Sequence, residues 1–186
     1  MKKLIAILIS ALLVISLSAC AAKTQEEDHT HNQEVSTEDP ERITGMIYGI
    51  FGEDDAKNLS TEFSAHGGEV TVERIAAGLS GWTGLKFRVT VTTDEENKKI
   101  TVDWMEESSM KTGAMPEPQR DQFIFKDETE IRVFMLNSLC QSILNNLGEY
   151  DIYYTVCGED ISTLGLDSIT SETAFNKTES PVVYVK

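Results

Sequence analysis

Residues 85–104 alternate apolar and polar positions with a period of two. Leu85, Phe87, Val89 and Val91 interleave with Lys86, Arg88, Thr90 and Thr92. After Asp94-Glu95-Glu96-Asn97, Ile100, Val102 and Trp104 interleave with Lys99, Thr101 and Asp103. Successive side chains of a strand point to opposite faces, so this pattern predicts a hairpin with one buried face. Upstream, residues 43–51 (ITGMIYGIF) are apolar and β-prone and predict a first strand. Leu59, Thr61, Phe63 and Ala65 share one face of a second, which His66-Gly67-Gly68 interrupts.

Two segments change to the helical period. Thr71 is a good N-cap, and Val72, Ile75, Ala76 and Leu79 fall at i, i+3, i+4 and i+7, predicting a short helix that ends near Gly81. Asp127 with Glu130 three residues later resembles a capping box at the head of a long helix over 128–147. Its predicted apolar stripe is Met135, Leu136, Leu139, Cys140, Ile143 and Leu147. Asn137, Gln141 and Asn145 lie off that stripe, and Gly148 closes the helix. Residues 150–156 predict a strand that stops at Gly158, and residues 181–185 an added edge strand. Residues 105–121, rich in Met, Ser and Pro, predict a loop. The element order is β, short β, α, β, β, α, β. It implies an α+β domain with two helices on one face of an antiparallel-rich sheet, an arrangement of the βαββαβ kind.

The N-terminus follows a different pattern. Lys2 and Lys3 precede the apolar run 4–17, which is shorter than the roughly 20 residues needed to span a bilayer core. The run ends in Leu17-Ser18-Ala19-Cys20, which looks like a lipobox. The order of positive charge, apolar run, small residues and cysteine predicts a lipoprotein signal peptide over 1–20, cleaved between Ala19 and Cys20. Cys20 then carries the lipid that holds the chain on the extracytoplasmic face of the cell membrane. Residues 21–42 have no aromatic side chain, and Val35 is their one large aliphatic. Such a segment buries too little to offset the entropy of ordering and predicts an acidic flexible linker. Residues 43–186 form the single folded domain. The formal charge of −15 becomes more negative once Lys2 and Lys3 leave with the signal. A surface this acidic repels phosphate backbones, which excludes nucleic acid as a partner.

Residues 47–158 resemble the GerMN domain, found in bacterial lipoproteins and in sporulation and spore-germination proteins. Three stretches carry the resemblance: YGIFGEDDAKNLSTE (48–62), ITVDWMEESSM (100–110) and FMLNSLCQSILNNLGEYDIYYTVCGED (134–160). The resemblance implies a non-enzymatic module that helps to assemble or regulate cell-envelope complexes, and it brings no catalytic residue with it.

Candidate chemistry is sparse. His29 and His31 stand near carboxylates and are metal-ligand types, but they lie in the linker, where nothing fixes a coordination geometry. Asp103 alternates with Trp104, which predicts an outward acid and an inward aromatic. Cys140 falls in the buried stripe of the long helix. Export permits a disulfide, and with Cys20 lipidated the one pairing open is Cys140 with Cys157. No nucleophile-elbow or phosphate-loop pattern occurs, and His66 is the only histidine of the domain. These observations predict no enzyme, no cofactor and no metal. They favour a lipid-anchored interaction module with an envelope-protein partner. The alternative is a lipoprotein that binds a small ligand or cell-wall fragment through loop 105–118 and Trp82.

Overall fold

The order of elements follows the hydrophobic pattern: β1 (Arg42–Gly49), β2 (Leu59–His66), α1 (Val72–Thr83), β3 (Val89–Asp94), β4 (Lys99–Trp104), α2 (Ser109–Thr112), α3 (Glu128–Leu147), β5 (Asp151–Val156) and β6 (Glu159–Asp160). A 3-10 turn, Ile161–Leu164, comes next. The computed structural model describes residues 42–52, 57–166 and 168–177. The signal segment, Ala19, Cys20, His29, His31 and residues 181–185 lie outside them. The chain is an α+β protein, with a two-stranded antiparallel sheet and a four-stranded mixed sheet in the order β3-β4-β5-β6.

Strands β3 and β4 form the expected hairpin, with Val89 opposite Trp104 and Asp94 opposite Lys99. Strand β5 runs parallel to β4, placing Val102 beside Tyr154 and Trp104 beside Val156. A parallel pair needs a long crossover, supplied here by α2 and α3. Alternation then selects the core: Ile100, Val102, Trp104, Ile152, Tyr154 and Val156 are all buried, while Thr101, Asp103, Tyr153 and Thr155 on the other face are half-buried.

Several boundaries depart from the sequence expectation. Helix α1 passes Gly81 and ends at Gly84, whose φ of 85° and N–H to the Ser80 carbonyl (3.0 Å) make the left-handed cap. Leu85 and Phe87 are buried as the alternation predicts, yet they precede β3 proper. There the chain pairs with α2 instead of a strand: Lys86 N–H donates to Ser109 Oγ (3.0 Å) and Ser109 N–H to the Lys86 carbonyl (3.0 Å). The segment read as a loop therefore contains α2, capped by Ser108, with Met110 wholly buried.

The long helix differs most from expectation. From Ile131 to Leu144 only Arg132 and Gln141 escape full burial, and Asn137, placed off the stripe by periodicity, is 4% exposed. One side of the helix meets β1, which lies along it on the side away from β2. Ser138 Oγ accepts from Ile50 N–H (2.9 Å), Ser142 Oγ from Tyr48 N–H (3.0 Å) and Asn146 Oδ1 from Met46 N–H (3.0 Å). Asn146 Nδ2 also donates to the Met46 carbonyl (2.5 Å), so one side-chain amide reproduces the pairing of a β-bridge. Three acceptors at i, i+4 and i+8 sit on one helical face and meet three N–H groups at i, i+2 and i+4 of the strand.

Beyond Gly158, where the strand signal of residues 150–156 stops, the described residues continue the fold to Lys177. Cys157 (φ 53°) and Gly158 (φ 76°) form a two-residue turn with both φ positive, which suits a tight hairpin between β5 and β6. Asp160 then accepts from Ser162 N–H (2.8 Å), Ser171 N–H (3.0 Å) and Ser171 Oγ (2.8 Å). These hydrogen bonds hold its carboxyl well below the usual carboxylate range. They fold the following segment back, so that Phe175 exchanges two backbone hydrogen bonds of 2.9 Å with Ile152.

Candidate interaction surface

The side chains singled out in the sequence do not converge. Asp103 accepts from Thr155 Oγ1 (2.6 Å) and Gly158 N–H (2.9 Å), so it ties β4 to β5 and to the turn beyond. Trp104, on the opposite face, is fully buried. Cys140 and Cys157 are both free thiols, and the pairing that the sequence permits is not formed. Burial pushes the Cys140 thiol up to about 12. Cys157 is exposed and lies 3.1 Å from Glu106 Oε2; that hydrogen bond raises its pKa, the reverse of what activates a thiol nucleophile. Trp82 is half-buried, edge-on to Phe123 at 4.9 Å, and belongs to an aromatic cluster with Phe51, Phe125 and Phe134. Met115 packs on the core. Trp82, Met110 and Met115 therefore go into packing.

A groove of about 750 Å³ runs between α1 and residues 84–89. Its walls include Ala76, Ala77, Ser80, Phe87, Val89 and Met105, and its charges are Lys86, Arg88, Glu73 and Glu107. It opens beside β3, the terminal strand of the four-stranded sheet. The hydrogen bond from Met105 N–H to the Arg88 carbonyl (3.0 Å) sets the phase of the β3–β4 ladder. Arg88, Thr90, Thr92 and Asp94 turn their backbone groups toward β4, and Val89, Val91 and Thr93 turn theirs away. At the neighbouring outward position, Phe87 N–H is taken by Ser80 Oγ (2.9 Å). No described strand pairs with the outward row of β3.

Edge strands usually carry a charge, a proline or a bulge that discourages pairing. Strand β2 carries Glu62 in mid-strand. In β3 the run Val89-Thr90-Val91-Thr92-Thr93 has none of these, and charges stand only at its ends, Arg88 and Asp94. The opposite edge of the sheet is the two-residue β6. The hairpin was legible in the sequence, but its open side was not, because the absence of a neighbour leaves no trace in a local pattern. Among the described residues no group of three His, Cys, Asp or Glu is placed to hold a metal ion.

Comparison with protein-family models, with characterised proteins and with solved structures finds no match to this chain.

Proposed function

We propose that this chain is an interaction module of the bacterial cell envelope, tethered to the extracytoplasmic face of the membrane by lipid on Cys20, that works by taking an extended partner segment onto β3. The observation that carries this reading is the outward row of Val89, Val91 and Thr93, unpaired among the described residues and lying beside an open groove. Strand addition draws affinity from main-chain hydrogen bonds and specificity from adjoining side-chain pockets. The resemblance to GerMN domains supports a non-enzymatic role and extends to a part in sporulation or germination assemblies.

The test places a photo-crosslinking residue at exposed Thr92 in the anchored chain in intact cells, followed by mass spectrometry. Defined adducts are expected, and Val91→Pro should abolish them. Proline removes an outward N–H and is tolerated on an edge whose N–H faces away from the ladder. Adducts that persist unchanged in Val91→Pro would overturn the reading. A second reading, a small-ligand or cell-wall-fragment binder, is favoured by the volume of the groove. It predicts that muropeptide titration perturbs Phe87 and Met105 resonances while Val91→Pro leaves that response intact.

A further inference from the structure

We propose that the strand received by β3 is β3 of a second copy of this chain, paired antiparallel about a two-fold axis through Val91. The proposal rests on the docking role of the β3 edge and names its partner.

Backbone phase comes first. Only Val89, Val91 and Thr93 offer outward N–H and C=O groups, so an antiparallel mate must align outward residues with outward residues. Centring on Val91 places Val91 opposite Val91 and Val89 opposite Thr93 in both halves. Every outward group of the two strands is then used. Sliding one copy by two residues toward the N-terminus brings in Phe87, whose N–H is already held by Ser80 Oγ. Sliding it the other way runs the pairing into the turn Glu95-Glu96-Asn97. The Val91 register is the one confined to free strand.

Side chains agree with that register. Between the outward pairs, Thr90 faces Thr92 twice, a pairing that sheets favour. At each end Arg88 of one copy faces Asp94 of the other. The Arg88 side chain is exposed, and its guanidinium makes no hydrogen bond or ion pair among the described residues. The Asp94 carboxylate is oriented by Asn97, which donates from its backbone N–H (3.1 Å) and its side-chain amide (2.7 Å). Those bonds keep the carboxyl charged by lowering its pKa. A carboxylate has acceptor sites to spare for a guanidinium. The same alignment brings the acidic turn of one copy toward Lys86 and Arg88 at the groove of the other, where Glu73 and Glu107 also stand. Strand β2 has no such complement: its mid-strand Glu62 would face a carboxylate or an uncharged residue of a second β2.

The experiment measures the mass of the detergent-solubilised full chain by sedimentation across a concentration series. A monomer–dimer equilibrium is expected. R88D turns two attractive cross-strand pairs repulsive and should weaken association roughly tenfold or more. Adding D94R to R88D should restore association, with circular dichroism unchanged throughout. Failure of the double reversal to rescue would overturn this register. A chain that stays monomeric at every concentration would overturn self-pairing. If Val91→Pro still abolished envelope adducts in that case, the docking edge would stand with a different partner. Adducts insensitive to Val91→Pro would remove both readings.

Discussion

At the scale of single residues, the core contains polar atoms that do different work. Tyr154 is fully buried on β5, stacked near Trp104 (6.1 Å) and edge-on to Phe175 (5.1 Å). Its hydroxyl and the Trp104 indole N–H are buried with no hydrogen-bond partner among the described residues. Burial raises the Tyr154 pKa well above its ordinary value, so the ring stays neutral at any physiological pH. An unpartnered buried hydroxyl bears a desolvation cost with no return. Tyr154→Phe keeps the ring packing and removes that cost. Its stability in urea unfolding should lie within about 0.5 kcal/mol of the native protein or above it. A loss of 2 kcal/mol or more, on the scale of about 1–3 kcal/mol for a broken buried hydrogen bond, would mean that the hydroxyl is satisfied in solution.

At the scale of elements, the contact of α3 with β1 is the unusual one. Helix and strand normally meet through apolar side chains, but here Ser138, Ser142 and Asn146 serve as the hydrogen-bonding neighbour of a strand. Buried backbone donors must be paired, and β1 has β2 on one side only. Removing Ser142 Oγ leaves the Tyr48 N–H without its acceptor. Ser142→Ala should cost about 1–2 kcal/mol and speed hydrogen exchange at the Tyr48 amide. Asn145→Ala, on the exposed side of the same helix, should stay within about 0.5 kcal/mol of native. Equal costs for the two would show that the seryl acceptor is dispensable. Position within the sheet likewise decides where the β3–β4 hairpin is sensitive. Alternation puts Val89 and Val102 on one face, but Val89 is half-buried at the edge and Val102 is fully buried in the middle. A charge is therefore tolerated far less at Val102.

At the scale of the whole molecule, acidity and the proposed lipid tether bear on the same association. Two copies of a chain with a formal charge of −15, more negative still without Lys2 and Lys3, repel at long range, so pairing through one short edge would depend on screening and on local concentration. The proposed confinement to a membrane surface would raise that concentration without any new contact. Two acyl chains on Cys20 would anchor stably where one binds marginally. Cys20→Ala is expected to abolish lipid labelling and to move the chain from the detergent phase to the aqueous phase on phase separation. Continued labelling of Cys20→Ala would place the lipid elsewhere.

By itself the sequence determined where β1 to β5 and the two long helices lie to within a few residues, because period two and period 3.6 are local properties of the chain; α2 and β6 it did not show. It also determined the inward set on β4 and β5, the capped start of α3 at Asp127, and the absence of any recognisable catalytic motif. Tertiary structure decided the rest. A polar face on α3 reads as solvated until β1 is known to lie against it, since a strand edge and water ask for the same acceptors. Cys140 and Cys157 are as compatible with a bridge as with two thiols until one is seen buried in a helix and the other turned toward Glu106. The described residues between Gly158 and Lys177 carry no periodic signal; the Asp160 carboxylate and two backbone bonds between Phe175 and Ile152 help to hold them. The exposed edge of β3 was the least legible of all: a strand's pattern records which face is buried, whereas an open edge depends on which strands the fold places beside it.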